Sequence, residues 1–274
     1  MSICEVHATF LEGSKGRLFA VARKPPSLCE GVLLVPPFAE EMNKSRHVFT
    51  EIAVCLAERG IGSVLVDLYG TGDSEGEFAA ADWSVWTRDL AVAFRWANEL
   101  GMRTNRLLAV RLGCALAVQA AMDNDWKIER SILIQPVLSG ARSLDQFLRI
   151  RVAASLMQSK GKETIAELRA RLKAGETLEV AGYDISSTLA AQLDAVDLLA
   201  TLSRTVGSIN WIELLRTADM PPSTPSMNAI SRAREFGIDV ELVVVQGEPF
   251  WSSVEIVRIP DLVDRVVAAL RIGI

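Results

Sequence analysis

The sequence predicts an α/β fold, a mostly parallel sheet with helices on both faces and a helical cap inserted late in the chain. Three observations carry this. Short β-rich apolar runs alternate with helically spaced ones between residues 31 and 135, giving a βαβαβαβ rhythm. The rhythm then stops, and from 139 to about 204 the spacing is helical throughout. Strands resume near 206–214 and at 240–245. With 274 residues, half of them hydrophobic, the chain can bury a full core. The expected organisation is a first core part at 1–138, a helical cap at 139–205 and a second core part at 206–274.

Each element has its own signal. Residues 8–10 and 18–23 read as an antiparallel pair around the turn Glu12-Gly13-Ser14-Lys15-Gly16. Residues 31–35 form a continuous apolar run ending at Pro36-Pro37, the pattern of a strand buried on both faces. Val48, Phe49, Ile52, Ala53 and Leu56 give a helix over 46–59 that Gly60 closes. A strand at 63–67 follows, then an amphipathic helix at 83–100 with Asp82 as its N-cap. A strand at 107–110 leads by a sharp turn into a small-residue helix at 114–122, and 130–135 is the next strand. Three helical segments fill the cap, marked by Phe147, Leu148, Ile150, Val152, Leu156 and Met157, by Ile165, Leu168 and Leu172, and by Leu189, Leu193, Val196 and Leu199. A final helix covers about 262–272. A cap in this position lies over the carboxyl ends of the strands, where open α/β sheets bind ligands. The cluster Pro221-Pro222-Ser223-Thr224-Pro225 reads as a loop on the same edge.

Composition narrows the function. A net charge of −5 without a long basic run argues against nucleic acid. Neither a signal peptide nor a transmembrane helix is expected. Cys4, Cys29, Cys55 and Cys114 lack C-x-x-C spacing and there are two histidines, so no metal site is expected, and reduced thiols fit a cytoplasmic protein. The glycine-rich run Gly70-Thr71-Gly72-Asp73-Ser74-Glu75-Gly76 has the wrong spacing for a dinucleotide loop, and its acidic residues repel phosphate. No cofactor is expected; the run reads as a tight loop after a strand.

The turn between the strand at 107–110 and the next helix has the frame of a nucleophile elbow, normally G-x-S-x-G. Here it reads Ala109-Val110-Arg111-Leu112-Gly113, with arginine at the nucleophile position. The order of elements resembles that of the α/β-hydrolase superfamily. A Pro-Pro loop, the segment Asp67-Leu68-Tyr69-Gly70-Thr71-Gly72-Asp73-Ser74, the elbow frame and the helical insertion follow successive strands. More closely, the chain resembles the second hydrolase type associated with exosortase A (PEP-CTERM) systems and exopolysaccharide production. That resemblance rests on residues 35–46 (Val-Pro-Pro-Phe-Ala-Glu-Glu-Met-Asn-Lys-Ser-Arg), on 67–74, on Arg111-Leu112-Gly113, on Gln135-Pro136-Val137-Leu138-Ser139-Gly140, on Val180-Ala181-Gly182-Tyr183 and on Gly247-Glu248-Pro249-Phe250-Trp251. It implies an eight-stranded sheet with the cap after the sixth strand, and it spans nearly the whole chain. It does not by itself imply hydrolysis, because function resides in the site and not in the fold.

The superfamily's triad runs serine, acid, histidine, with the histidine after the last strand. His7 and His47 both precede Arg111, and the loop where the histidine belongs reads Gln246-Gly247-Glu248-Pro249-Phe250-Trp251-Ser252. Nucleophile and base are both replaced, so Ser-His-acid chemistry is not expected. Arg111 keeps its charge at any accessible pH and requires an anion. One partner is a carboxylate of the chain, with Glu40, Glu41 and Glu248 placed on loops at this edge. The other is a small acidic or polar ligand held by the guanidinium fork, with Glu40, Glu41, Asn43, Lys44, Gln135 and Trp251 around it under the cap. An alternative is an active hydrolase or acyl transferase with a non-standard acid–base site at Glu40, Glu41 or Glu248. Arg111 and Glu248 are then the candidate catalytic positions. Cys114 reads as a small core residue, His47 as a partly exposed first-turn residue, His7 as structural or solvated, and Trp83, Trp86, Trp96 and Trp211 as core.

Overall fold

A computed structural model of the chain describes residues 4–157, 163–202, 206–217 and 219–271. Eight strands form one sheet in the order β1-β2-β4-β3-β5-β6-β9-β10. They are β1 (Glu5–Glu12), β2 (Arg17–Lys24), β3 (Cys29–Val35), β4 (Gly62–Val66), β5 (Met102–Val110), β6 (Arg130–Ile134), β9 (Ser208–Leu215) and β10 (Val240–Gln246). β2 is antiparallel to both β1 and β4, and every other pairing is parallel. The crossovers are α1 (Glu40–Ala57), α2 (Trp83–Glu99), α3 (Gly113–Asp123) and α8 (Thr224–Glu235), and α9 (Pro260–Arg271) follows β10. The sheet separates two cores. α1 and α9 bury Val48, Phe49, Ile52, Leu262 and Val266 on one face. α2, α3 and α8 bury Leu90, Leu116 and Ile230 on the other, continuous with the core of the cap.

After β6 the chain builds the cap from α4 (Gly140–Met157), α5 (Ile165–Lys173), a hairpin of β7 (Leu178–Val180) and β8 (Tyr183–Ile185), α6 (Ser187–Ala195) and α7 (Leu198–Thr201). It leaves and re-enters the core at one place, because Gly140 donates to the Val196 carbonyl at 2.9 Å and Leu198 to that of Leu138 at 3.0 Å. Phe147 of the cap meets Phe38 edge-on at 5.1 Å, and Trp83 of the core donates its backbone N–H to Gln192.

Four elements differ from the sequence expectation. α1 begins at Glu40, not at 46, because two carboxylates favour a helix N-terminus and extend the helix to the Pro-Pro loop. Glu40 and Glu41 are therefore helical and not on a loop. The cap contains a hairpin as well as helices; Ala181 and Gly182 both have positive φ (52° and 84°), the two-residue turn that matches strand twist. The Pro221–Pro225 loop ends at Ser223, whose side chain caps α8, a helix whose polar composition hid it. β5 starts at Met102, since Arg106, Asn105 and Thr104 are buried despite their polarity. Expected limits at Arg204, Thr205 and Ile272 fall outside the described residues.

The start of α3 sits hard against β3. A Cβ on Gly113 would lie 2.3 Å from the Pro36 carbonyl oxygen, a backbone atom that cannot turn aside. Gly113→Ala is therefore expected to lose about 1–3 kcal/mol. The measurement is the urea midpoint, which should fall with the slope unchanged.

Candidate functional site

The elbow is built as its frame predicts. β5 ends at Val110, and Arg111 takes a left-handed backbone (φ 57°) before α3 begins. For a residue other than glycine this costs about 1–2 kcal/mol, so the surroundings must enforce it. They do so by hydrogen bonds. Arg111 donates its backbone N–H to the Ile134 carbonyl at 2.9 Å, and its own carbonyl accepts from Cys114 at 3.1 Å and Val137 at 3.3 Å. The turn lifts the Arg111 side chain above the sheet edge.

There the guanidinium meets three elements. Its Nε donates to Oε1 of Glu41, in the first turn of α1, at 3.1 Å. Its Nη2 reaches Oε1 of Gln146 on α4 of the cap at 3.4 Å. Its carbon lies 5.2 Å from the ring centre of Trp251, in the loop after β10. The Arg111 and Glu41 side chains are 17% and 18% exposed, so the pair is shielded but not sealed.

The carboxylates here are electrostatically strained. Burial pushes the Glu41 carboxyl up to about 7, Arg111 opposes that rise, and Glu40 adds to it by repulsion. Burial raises Glu40 as well, with Lys44 and Arg111 opposing, and its Oε2 is buried without a hydrogen-bond partner among the described residues. Tyr183, on β8 of the cap, accepts from Nδ2 of Asn43 at 3.2 Å; burial and the charge of Glu40 raise its hydroxyl. α1 is fixed in place by Arg46, whose Nη2 donates to both oxygens of the buried Asp67 at 2.9 Å. The glycine-rich loop closes on the same carboxylate through the Asp73 backbone N–H.

Of the residues expected at this site, the structure brings together Arg111, Glu41 and Trp251, with Glu40, Asn43 and Lys44 on the adjoining turns of α1. Two expectations need correction. Glu248 is exposed and pairs with Arg216 at 3.2 Å, because its loop turns Trp251 inward and Glu248 outward. Gln135 spends its side-chain oxygen on the Leu214 backbone N–H at 2.9 Å, tying the end of β6 to β9. His47 lies in the body of α1, not its first turn, and its ring contacts the Val257 carbonyl at 2.7 Å. His7 pairs with Glu5 on β1. Cys114 is fully buried, and burial pushes its thiol up, which leaves it unreactive. Gln146 and Tyr183 were not anticipated. Their only sequence signals were Phe147, a cap core residue beside one, and the segment 180–183 ending at the other.

A narrow cavity of about 20 Å³ lies beside the elbow, lined mainly by Phe38, Ala39, Met42, Trp86, Leu112 and Leu116. The hydroxyl of Thr71, which also lines it, is committed to the Leu68 carbonyl at 2.8 Å. Among the described residues, no group of three or more His, Cys, Asp or Glu could hold a metal, and no helix is long and apolar enough to cross a membrane.

Solved structures match this arrangement over nearly its whole length. The Est1E protein of Butyrivibrio proteoclasticus with ferulic acid bound has a TM-score of 0.64 at 15% identity, covering 96% of each chain. A putative hydrolase from Agrobacterium vitis scores 0.60 at 18% identity, covering 98% of each. An alpha-beta serine hydrolase homologue from Coxiella burnetii scores 0.56 at 16% identity, covering 96% of this chain and 97% of that one. The chain has the α/β-hydrolase fold, as expected, with the eight-stranded sheet and the inserted cap. No family model matches the sequence, and no curated protein matches it.

The raised Glu41 carboxyl has a stability consequence. The folded state holds the Glu41 proton up to about pH 7, whereas an unfolded chain releases it near 4.5. Stability from this group is present at low pH and is lost as pH rises between those values, on the order of 3 kcal/mol in all. Glu41→Gln should lack that slope. The measurement is the melting temperature of both proteins across this range. Asp89, raised by burial to about 6, acts with the same sign in both and cancels in the difference.

Proposed function

We propose that this protein is a non-hydrolytic member of its fold that binds a small acidic or polar ligand under the cap. One observation carries the reading. Where a nucleophile and a histidine would meet, Arg111 is paired with Glu41 and covered by Trp251. A guanidinium is neither a nucleophile nor, at accessible pH, a base. Neither histidine is a hydrogen-bond partner of Arg111, since His7 pairs with Glu5 and His47 with Val257. Segments 35–46, 67–74 and 247–251, with their likeness to the second exosortase A-associated hydrolase type, support service in an exosortase, PEP-CTERM or exopolysaccharide system. A soluble cytoplasmic protein fits that role.

A second reading is favoured by one feature. Glu41, with its carboxyl pushed up to about 7, has the proton affinity of a general acid or base. It would act in hydrolysis or acyl transfer without a covalent serine intermediate. A third outcome is that the Arg111–Glu41 pair only plugs the pocket.

The three separate in one set of measurements. Binding predicts no labelling by a fluorophosphonate probe, background turnover of p-nitrophenyl esters, and an acidic small molecule seen by native mass spectrometry that is lost in Arg111→Ala. Arg111→Ser should restore no esterase activity, because no histidine is in place to activate the serine. Ester turnover that collapses at least a hundredfold in Glu41→Gln would establish the acid–base reading instead. A plug predicts no ligand and a higher melting temperature for Arg111→Met.

A further inference from the structure

Resting on the ligand-binding reading above, we propose that the ligand is a monocarboxylate with a short apolar tail. Its carboxylate occupies the open edge of the Arg111 guanidinium, its tail enters the cavity beside the elbow, and its binding takes up one proton on Glu41.

The donors define the anion. A guanidinium has five N–H groups. Glu41 engages the one on Nε, and Gln146 accepts from Nη2 at the long distance of 3.4 Å. Nη1 has no partner among the described residues. The edge formed by Nη1 and Nη2 is thus open, and its fork matches a planar carboxylate. The side chain keeps 17% of its surface exposed, so the site is not sealed against a small anion.

The cavity defines the tail. Leu112, which follows Arg111, and Ala39, which precedes Glu40, both line it, so the apolar space and the charge are one residue apart on both segments that build the site. Thr71 is bonded to Leu68 and the Trp86 indole N–H to the Tyr69 carbonyl, so the lining is apolar apart from the indole N–H of Trp83. A volume of about 20 Å³ admits one or two waters, or an apolar tail of similar size, on the order of two carbons.

The charge count defines the proton. Around the pair stand Glu40 and Lys44 from α1, Arg111 from the elbow, and Tyr183 and the neutral Gln146 from the cap. Arg46 is committed to Asp67. Two cations thus face two carboxylates, and a bound monocarboxylate adds a third in a shielded site. One carboxyl must be neutral, and Glu41, which shares Arg111 with the incoming anion and already lies up near 7, is the one that takes the proton from solvent. A phosphate dianion would bring two negative charges to the same edge and is disfavoured.

The test is isothermal titration calorimetry of the full chain with acetate, butyrate, octanoate and inorganic phosphate, in buffers of differing ionisation heat. Butyrate should bind about tenfold tighter than acetate, from two more buried methylenes, and octanoate no tighter than butyrate. Butyrate affinity should fall about tenfold from about pH 6 to about pH 8, with about half a proton taken up at neutrality and nearly one by about pH 8. Glu41→Gln should abolish that uptake. Leu116→Phe, filling the cavity, should reduce butyrate to the affinity of acetate. Equal binding of acetate and butyrate, tighter binding of phosphate, or no proton uptake by the native chain would overturn the inference and leave the ligand-binding reading intact. No binding of any anion, together with no co-purifying ligand, would overturn both.

Discussion

A permanent positive charge held above the carboxyl edge of a parallel sheet organises the rest of this site. Arg111 cannot shed its proton, and its left-handed backbone fixes where the side chain emerges. Each neighbouring element answers that charge in its own way. α1 supplies Glu41, the loop after β10 supplies an aromatic face, and the cap supplies an amide oxygen. The elbow itself is the same strained turn that would present a nucleophile. The strain persists because three backbone hydrogen bonds and the approach of Gly113 to Pro36 over-determine the turn, whatever side chain it carries.

The position of α1 is the second determinant. Its first turn bears Glu40 and Glu41, where the positive end of the helix dipole favours carboxylates, yet burial raises both. The helix is not free to retreat from Arg111. Arg46 clamps it to Asp67, and the glycine-rich loop closes on that same carboxylate. At Gly72 a side chain would strike Asp67 itself, which accounts for glycine there. The loop that resembles a phosphate cradle in sequence is thus a brace for the charged edge of the site.

The sheet was legible because its signals are local. Apolar runs such as 31–35 and 107–110 are buried on both faces, and their order leaves few topologies. Arg111 was legible because a motif frame names its position. What sequence could not supply was the direction of side chains on loops. Glu248 and Trp251 sit three residues apart in one loop, and packing against Phe250 decides that Trp251 faces inward while Glu248 finds Arg216 in solvent. Gln135 was drawn away by an unpaired backbone N–H at the end of β9, a demand set by strand register. The start of α1 is hidden because Glu40, Glu41, Asn43 and Lys44 carry no hydrophobic period, although Met42 among them and Ser45 after them are buried. Gln146 and Tyr183 reach the site from a cap folded back over it, a distance in sequence that spacing cannot bridge.

The form of the Arg111–Glu41 contact bears on whether it seals the pocket or exchanges partners. A pair selected to neutralise a dead site gains most from two parallel hydrogen bonds with every remaining donor satisfied. Here the carboxylate meets Nε alone, one terminal nitrogen holds a long bond to Gln146, and Nη1 finds no partner among the described residues. The deficit is matched on the acidic side. Glu40 keeps a buried oxygen without a partner, and Glu41 stays poised between charge states near 7. The free donor would be satisfied by an anion on the open edge of Arg111, and the charge of Glu41 settled by the accompanying proton. Relief of both by one event supports exchange over sealing, because a plug has no use for either deficit.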